Sequence, residues 1–526
     1  MIDQELYQRT VAAFRIDDFT FFDGDKVHRN YERVAFCDGR TVHPGLDYPK
    51  LSEAGLAQLK THLDVLINVR EELVSAFPEV AEAIADGHVL EHMSEAQAIA
   101  HLYLKKIEAK CAEFRSLWET AAGDDVAFYA WQQKRHLAPS QELAELTVKV
   151  LRSRIRATLA HARPVLEQEL VRAALDLQDS LPVVSSSVCT RDVFPMPNRQ
   201  GMNQIYRMFD GEQFELRKAA WTVLWPNEPY VSLVDLPKSS PKRTYRLTHE
   251  QEVRIWKLLV EISDIGWTVK VVPARTGVGL NYAETTLMVP GSRTLQLTYE
   301  GMVKLEEHEA GRHLARHAAG LKAGLLLLAE GLEGYGAAEE GITTFSECCV
   351  GSSGFGAVVP GSGQHFVLSL AAGCYGRQYN FAEASELYRK ALYFLKLALN
   401  RRRLRSRMLL EKFGRAKPYQ DDPLPSDEVF SIRECAALAE KDAYNVCVRA
   451  WRGTTCAGAQ TYRKDVVYDL GKMRICRMIR DRGPESARAW LIGKFDPTSD
   501  EHIAVLSAIP AVREKLEAAG LVPKQD

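Results

Sequence analysis

From about residue 51 to residue 180, apolar residues recur at spacings of three and four, as in LAQLKTHLDVLINVREEL and LAELTVKVLRSRIRATL. That period gathers them into one stripe along an α-helix and is incompatible with the two-residue alternation of a half-buried strand. The chain is therefore expected to begin with a helical region, residues 1–184, after an irregular aromatic start (FTFFDGDKVHRNYERVAF).

The period dissolves between residues 185 and 245 into proline, glycine and serine with scattered aromatics (VFPMPNRQGMNQ, LWPNEPYVSLVDLPKSSPKR), which predicts an irregular linker or wrapping segment. The remaining residues, 246–526, start with a helix at LTHEQEVRIWKLLVEI. Two β-like runs follow, WTVKVVPA and TTLMVPG, separated by a glycine-containing turn. A further helix is expected to start with Thr298 as its N-cap and to stop at Gly320. Another is expected near 337–349, then a glycine-rich loop (GSSGFGAVVPGSGQ), then long helices over about 382–413 and 426–451. The fold class is mainly α, of the α+β kind, with a small sheet beside the candidate site.

A chain of 526 residues with 46% hydrophobic content can bury a sizeable core. Its 67 basic and 69 acidic residues leave a net charge of −2, which excludes a polycation built to coat nucleic acid. The strongest basic run, NRRRLRSRMLLEKFGRAK over 400–417, could attract an acidic tail or phosphate. It lacks the interleaved aromatics of a nucleic-acid reader and is read as a solvated helix face. MIDQELYQRT lacks the basic start and apolar core expected of a signal peptide, and no apolar run approaches the roughly 20 residues that span a bilayer. Ten cysteines occur without a Cys-x-x-Cys pair, and only Cys348 and Cys349 are adjacent. This usage implies reduced thiols and a cytoplasmic protein without a membrane partner.

Residues 308–317, HEAGRHLARH, open like the zinc-protease motif His-Glu-x-x-His and then depart from it: Arg312 stands where the second histidine belongs, and His313 comes one residue later. Two histidines four apart stack on one helix face, whereas five apart they diverge by about 140° on a regular helix. Chelation by His308 and His313 thus requires a π-type turn, which Gly311 could ease. A regular helix would instead align Glu309, His313 and His317, leaving no carboxylate to act as base. His88 and His92 repeat the histidine spacing without a following glutamate and are not expected to bind metal. Glu339 and Glu340, in GLEGYGAAEEGITTFSE, offer a third ligand from a nearby helix, or only a solvated surface.

HEAGRHLARHAAG followed by GLEGYGAAEEGIT resembles the zinc-dependent tyrosine carboxypeptidase family. That family includes the microtubule-associated tyrosine carboxypeptidases and bacterial relatives named for a Gln-Glu-Gly-Leu-Ala motif, and it uses His-Glu-x-x-x-His. The resemblance continues through VCVRAWRGT, YRKDVVYDLG and LIGKFDPTSDEHI and spans roughly Leu247 to Ile509, about half of the chain. It implies Zn²⁺ ligands at His308, His313 and Glu340, a catalytic Glu309, and a peptide or protein C-terminus as substrate. Tyr335 lies in a Gly-x-x-Gly-Tyr stretch of the same family type. Glu339 replaces the family's glutamine, Ile342 and Thr343 its Leu-Ala, and Trp451 a tyrosine, departures that bear on substrate preference.

A carboxypeptidase must hold a terminal carboxylate, which suits the arginine fork. Arg452 is the first candidate and Lys464 the second. Tyr468 or Tyr335 is expected to donate to the developing oxyanion, and the run TTLMVP to offer a strand edge to an extended peptide. The expected activity is that of a zinc metallopeptidase of the carboxypeptidase type. The alternatives are a zinc-stabilised scaffold without catalysis and a helical interaction module.

Overall fold

A computed structural model describes residues 2–16, 26–46, 53–121, 130, 133, 137–162, 167–184, 188–237, 239–273, 275, 277–292, 296–350, 363–413, 429–452, 456, 458 and 461–524. It is mainly helical with one three-stranded sheet, the α+β class expected. The helix starts follow local chemistry. Ser140 accepts from Leu143 N at the head of Gln141–His161, and Thr248 forms a capping box with Gln251 at the head of His249–Ser263. Thr298 accepts from Gly301 N at 3.1 Å, so the histidine-bearing helix starts where expected, although it runs on to Leu321. No helix among the described residues is long and apolar enough to cross a membrane, and all ten cysteines are free.

The two β-like runs form strands β1 (Thr268–Val272) and β3 (Thr286–Pro290), which pair in parallel. Between them in sequence comes a third strand, β2 (Gly279–Asn281), antiparallel to β3. The order β1-β3-β2 makes β3 central, so the run TTLMVP has both edges paired and cannot receive an added strand. The outer strand on the cavity side is the short β2, whose Gly279 and Leu280 line the cavity described below.

The hydrophobic core ignores the boundaries expected from the sequence. Leu6 to Leu117 share one cluster with Ala323 to Leu521, while Leu143 to Leu181 share another with Leu247 to Trp490. Apolar periodicity shows that a helix face is buried but not against what. The segment expected to be an irregular linker contains three helices, Thr190–Val193, Arg199–Met208 and Asp210–Leu224. Met202, Ile205 and Tyr206, all buried, give the second of these an apolar face, and Asn198 caps it. Its length hides that pattern between the flanking prolines. The glycine-rich loop expected near 351–362, and residues 414–417 of the basic run, lie outside the described residues. Within that run Arg401 pairs with Glu167 at 2.7 Å.

The glutamate-bearing helix Gly336–Val350 crosses the helix Val467–Arg482 with backbones in contact. A Cβ on Gly471 would fall on the carbonyl of Ala337, and one on Gly341 would fall on Gly471 itself. This close approach brings Glu340 beside Tyr468, and no flexible side chain stands by to yield. Gly471→Ala is expected to force the helices apart at a cost of about 1–3 kcal/mol or more. The variant should show a thermal midpoint lowered by several degrees, together with weakened metal binding.

Candidate metal centre

The five-residue histidine step is accommodated by the backbone. Glu309–Leu314 form a π-turn between the α-helical segments Tyr299–His308 and Ala315–Leu321. The rings of His308 and His313 come within 4.9 Å of each other, edge to face.

The extra residue of the turn is disposed of inward. Arg312, only 1% exposed, donates from Nε to Ser346 Oγ at 2.7 Å, from Nη1 to Gln213 Oε1 at 3.2 Å, and from Nη2 to Glu307. Its guanidinium lies 4.4 Å over the ring of Phe209. The carbonyl of Gly311 accepts from both Arg312 Nη1 at 2.7 Å and Gln213 Nε2 at 2.9 Å, which satisfies a group that the π-turn redirects. Gly311 contributes space here: a Cβ would sit 3.1 Å from Glu307 Oε2.

Each histidine is oriented by a carboxylate. His308 Nδ1 lies 2.6 Å from Glu347 Oε1, and His313 Nδ1 lies 2.8 Å from Glu339 Oε1. An ionised carboxylate only accepts, so Nδ1 carries a proton in both rings, and when the ring is neutral its Nε2 offers a lone pair. Both Nε2 atoms face Glu340 Oε2, at 3.7 Å from His308 and 3.9 Å from His313. That oxygen is buried and has no hydrogen-bond partner. These three donor atoms, within 4.8 Å of one another, make up the group that could hold a metal ion among the described residues. A tetrahedral ion of zinc's size separates its ligand atoms by about 3.4 Å, slightly less than these spacings. The donor set therefore fits a divalent ion.

The electrostatics favour a cation at this point. Burial opposes charge on His308, but the hydrogen bond it donates to Glu347 and the charges of Glu309 and Glu340 outweigh it and push the imidazole up to about 9. Burial drives Glu340 above the usual carboxylate range against the opposing pull of His313 and His308. Without an ion, protons must neutralise the converging carboxylates. Glu339 differs: burial works against its charge, yet Arg316 and His313 hold it at about 2. Arg316, fully buried, donates to Glu339 at 2.5 Å and to the carbonyls of Gly493 and Phe495, each at 2.8 Å. Glu339 is thus a permanent anion that supports His313 from behind.

The donors open onto a cavity of about 1250 Å³ whose wall includes Glu309, Tyr335, Lys464 and Tyr468. Val467 and Tyr468 open the helix Val467–Arg482, Lys464 lies in the short 3-10 turn before it, and Arg474, Arg477 and Met478 continue the cavity wall along the helix. Arg449 grips Asp465 with two hydrogen bonds of 2.7 and 2.9 Å and also bonds Tyr468. The nearby Glu340 charge, then burial, keep the Tyr468 phenol protonated far above neutrality. Burial does the same for Tyr335. The opposite wall comes from the N-terminal helices, through Phe14, Arg15, His101 and Lys106 among others.

Arg452 is not brought to the cavity, and its guanidinium stacks 4.7 Å from the Tyr462 ring. As the residue that ends the helix Ile432–Trp451, it follows the backbone away from the face that carries Arg449. His317 is also no ligand. Its Nδ1 lies 2.9 Å from the Ala329 carbonyl, its ring packs on Trp267 and Tyr282, and burial, helped by Lys494, pulls it down to about 4. His88 and His92 sit exposed beside a turn. Sequence reasoning passed over Glu347, although its place seven residues after Glu340 puts it two turns along the same helix face. No family model matches the chain, and neither the curated proteins nor the solved structures provide a match.

Three outcomes are expected. Arg312→Met leaves Glu307 buried beside Arg217 alone, and should cost about 3–5 kcal/mol of stability and the metal with it, read by thermal melting and metal content. Glu347→Gln should weaken the metal about 10–100-fold with little change in melting. Metal binding requires a neutral His308, which is protonated below about 9 in the metal-free protein. Binding at pH 7 should therefore release at least one proton, and affinity should fall as pH drops, checked by calorimetry in buffers of different ionisation enthalpy.

Proposed function

We propose that this protein is a zinc-dependent metallopeptidase of the carboxypeptidase type, removing a C-terminal, tyrosine-like residue from a peptide or protein. The observation that carries the reading is the π-turn. It turns His308 and His313 together toward Glu340 of the helix Gly336–Val350 and leaves Glu309, next in sequence to His308, in the wall of the same cavity. The pattern of histidine, glutamate, delayed histidine and downstream Glu340 that resembles the tyrosine carboxypeptidases supports it independently.

Two imidazoles and one carboxylate are a donor set suited to catalytic zinc, which keeps a further position for water or substrate. When bound, the ion supplies Lewis acidity, making water acidic near neutral pH and polarising the scissile carbonyl. Glu309 accepts the proton of the attacking water and passes it to the leaving amine. Tyr468, kept protonated and bonded by Arg449, is placed to donate to the oxygen on which charge develops, with Tyr335 on the adjoining wall. Lys464, in the turn just before the helix of Tyr468 and in the same cavity wall, offers positive charge to the substrate. Glu347 and Glu339 keep the two imidazoles in one tautomer. The edge strand β2 gives an extended peptide a backbone to lie against.

Zinc-loaded protein incubated with a library of free-acid peptides should release single C-terminal residues, detected by mass spectrometry and stopped by chelation. Glu309→Gln should retain one zinc per chain and lose about 10²–10⁴-fold in rate. Full activity in that variant would remove the proposed base, and a purified protein without zinc would contradict the whole reading.

A further inference from the structure

The cavity contains one cation that differs from the rest. Arg15 is paired with Glu330 at 2.7 Å, Lys105 with Glu501 at 3.0 Å, and Arg477 with Glu142 at 2.7 Å. Lys494 is 1% exposed, and its ammonium, which has no hydrogen bond or ion pair among the described residues, lies 3.6 Å from the centroid of the Tyr282 ring. The two carboxylates whose fields reach it are already committed. Glu330 receives Arg15 and the Tyr7 hydroxyl, at 2.6 Å for the latter, and Glu339 receives Arg316 and His313.

The position is built rigidly. Lys494 N donates to the Leu328 carbonyl at 2.8 Å, and its own carbonyl accepts from Leu332 N at 3.0 Å. Gly493 before it has φ of +150°, where a Cβ would lie 2.7 Å from Leu328 Cβ, and its carbonyl takes two donors from Arg316. The same Arg316 holds Glu339 behind His313, so the lysine and the metal ligand are tied to one buried guanidinium. A buried ammonium without an anion is costly unless a ligand supplies one. Burial pulls Lys494 down to about 8 against the fields of Glu339 and Glu330, and an arriving carboxylate would hold it in its charged form.

We infer that Lys494 receives the terminal carboxylate of the peptide substrate, fixing the chain end in the cavity beside the metal ligands, the role expected of Arg452 from sequence. The inference rests on the peptidase reading and deepens it. A cavity with this cation at its wall selects a chain end over a chain interior.

The test uses zinc-loaded Glu309→Gln protein, so that peptide persists, and fluorescence anisotropy of one labelled peptide as the free acid and as the C-terminal amide. The free acid should bind about 30-fold or more tightly than the amide. Lys494→Met should erase that difference, and Lys494→Arg should restore part of it, both with melting near that of the parent. If Lys494→Met does not fold, Lys494→Gln takes its place. Equal binding of acid and amide, no binding of either, or a preference that survives the loss of Lys494 overturns the inference. An amide ending in glutamate that binds as tightly as the acid does so as well, since a side-chain carboxylate would then suffice. Cleavage that depends on Glu309 while the acid preference ignores Lys494 sinks only this inference. A Lys494-dependent preference in a protein that binds no zinc sinks the peptidase reading and leaves the carboxylate site standing.

Discussion

The site depends on a buried arginine. A five-residue step between two histidines separates them on a regular helix, and the π-turn that reunites them adds a residue that must go somewhere. Arg312 goes into the core, where it meets Glu307, Ser346, Gln213 and the carbonyl of Gly311. A π-turn with orphaned carbonyls would relax toward an α-helix. Here the redirected carbonyl has two donors, and the guanidinium lies over the ring of Phe209 with Trp490 close by. The residue that breaks the familiar zinc motif in the sequence is thus the one that secures its lengthened form in the fold.

Around that turn the charges are layered. Glu340 faces the two Nε2 atoms with an unpartnered oxygen, while Glu347 and Glu339 stand behind the histidines and set their tautomers. Arg316 then neutralises Glu339 from the far side and reaches the carbonyls around Lys494. This succession of carboxylate, imidazole and second carboxylate accumulates negative charge at a single point. A proton can neutralise it, but a divalent ion suits it better, because two lone pairs and an ionised oxygen are satisfied at once. The N-terminal helices close the opposite wall and are tied to the site through Tyr7 and Arg15 on Glu330.

Much of this was legible in the sequence because it rests on local rules. The helical class follows from apolar spacing, the start of the histidine helix from Thr298, and the need for a π-turn from the count between His308 and His313. Other parts depend on contacts between residues far apart in the chain. Nothing in Gln213 announces that it will meet Gly311, and helix-forming triplets such as Met202, Ile205 and Tyr206 are too short to stand out beside prolines. Glu347 was readable from its spacing to Glu340, but only once that face was known to point at the histidines. Arg452 illustrates the limit: residue type suggested an anion site, whereas the direction of a helix end decides where the guanidinium goes. Domain boundaries drawn at changes of composition did not divide the core, since amphipathic faces from both ends of the chain pack together.

Whether His308, His313 and Glu340 hold one ion across the π-turn is decided by anomalous diffraction at the zinc edge from crystals of the zinc-loaded protein. A single strong peak is expected about 2.0–2.2 Å from His308 Nε2, His313 Nε2 and a Glu340 carboxylate oxygen, with Arg312 still buried. A peak on the cysteines or on His317, or no peak between the two histidines, would contradict it.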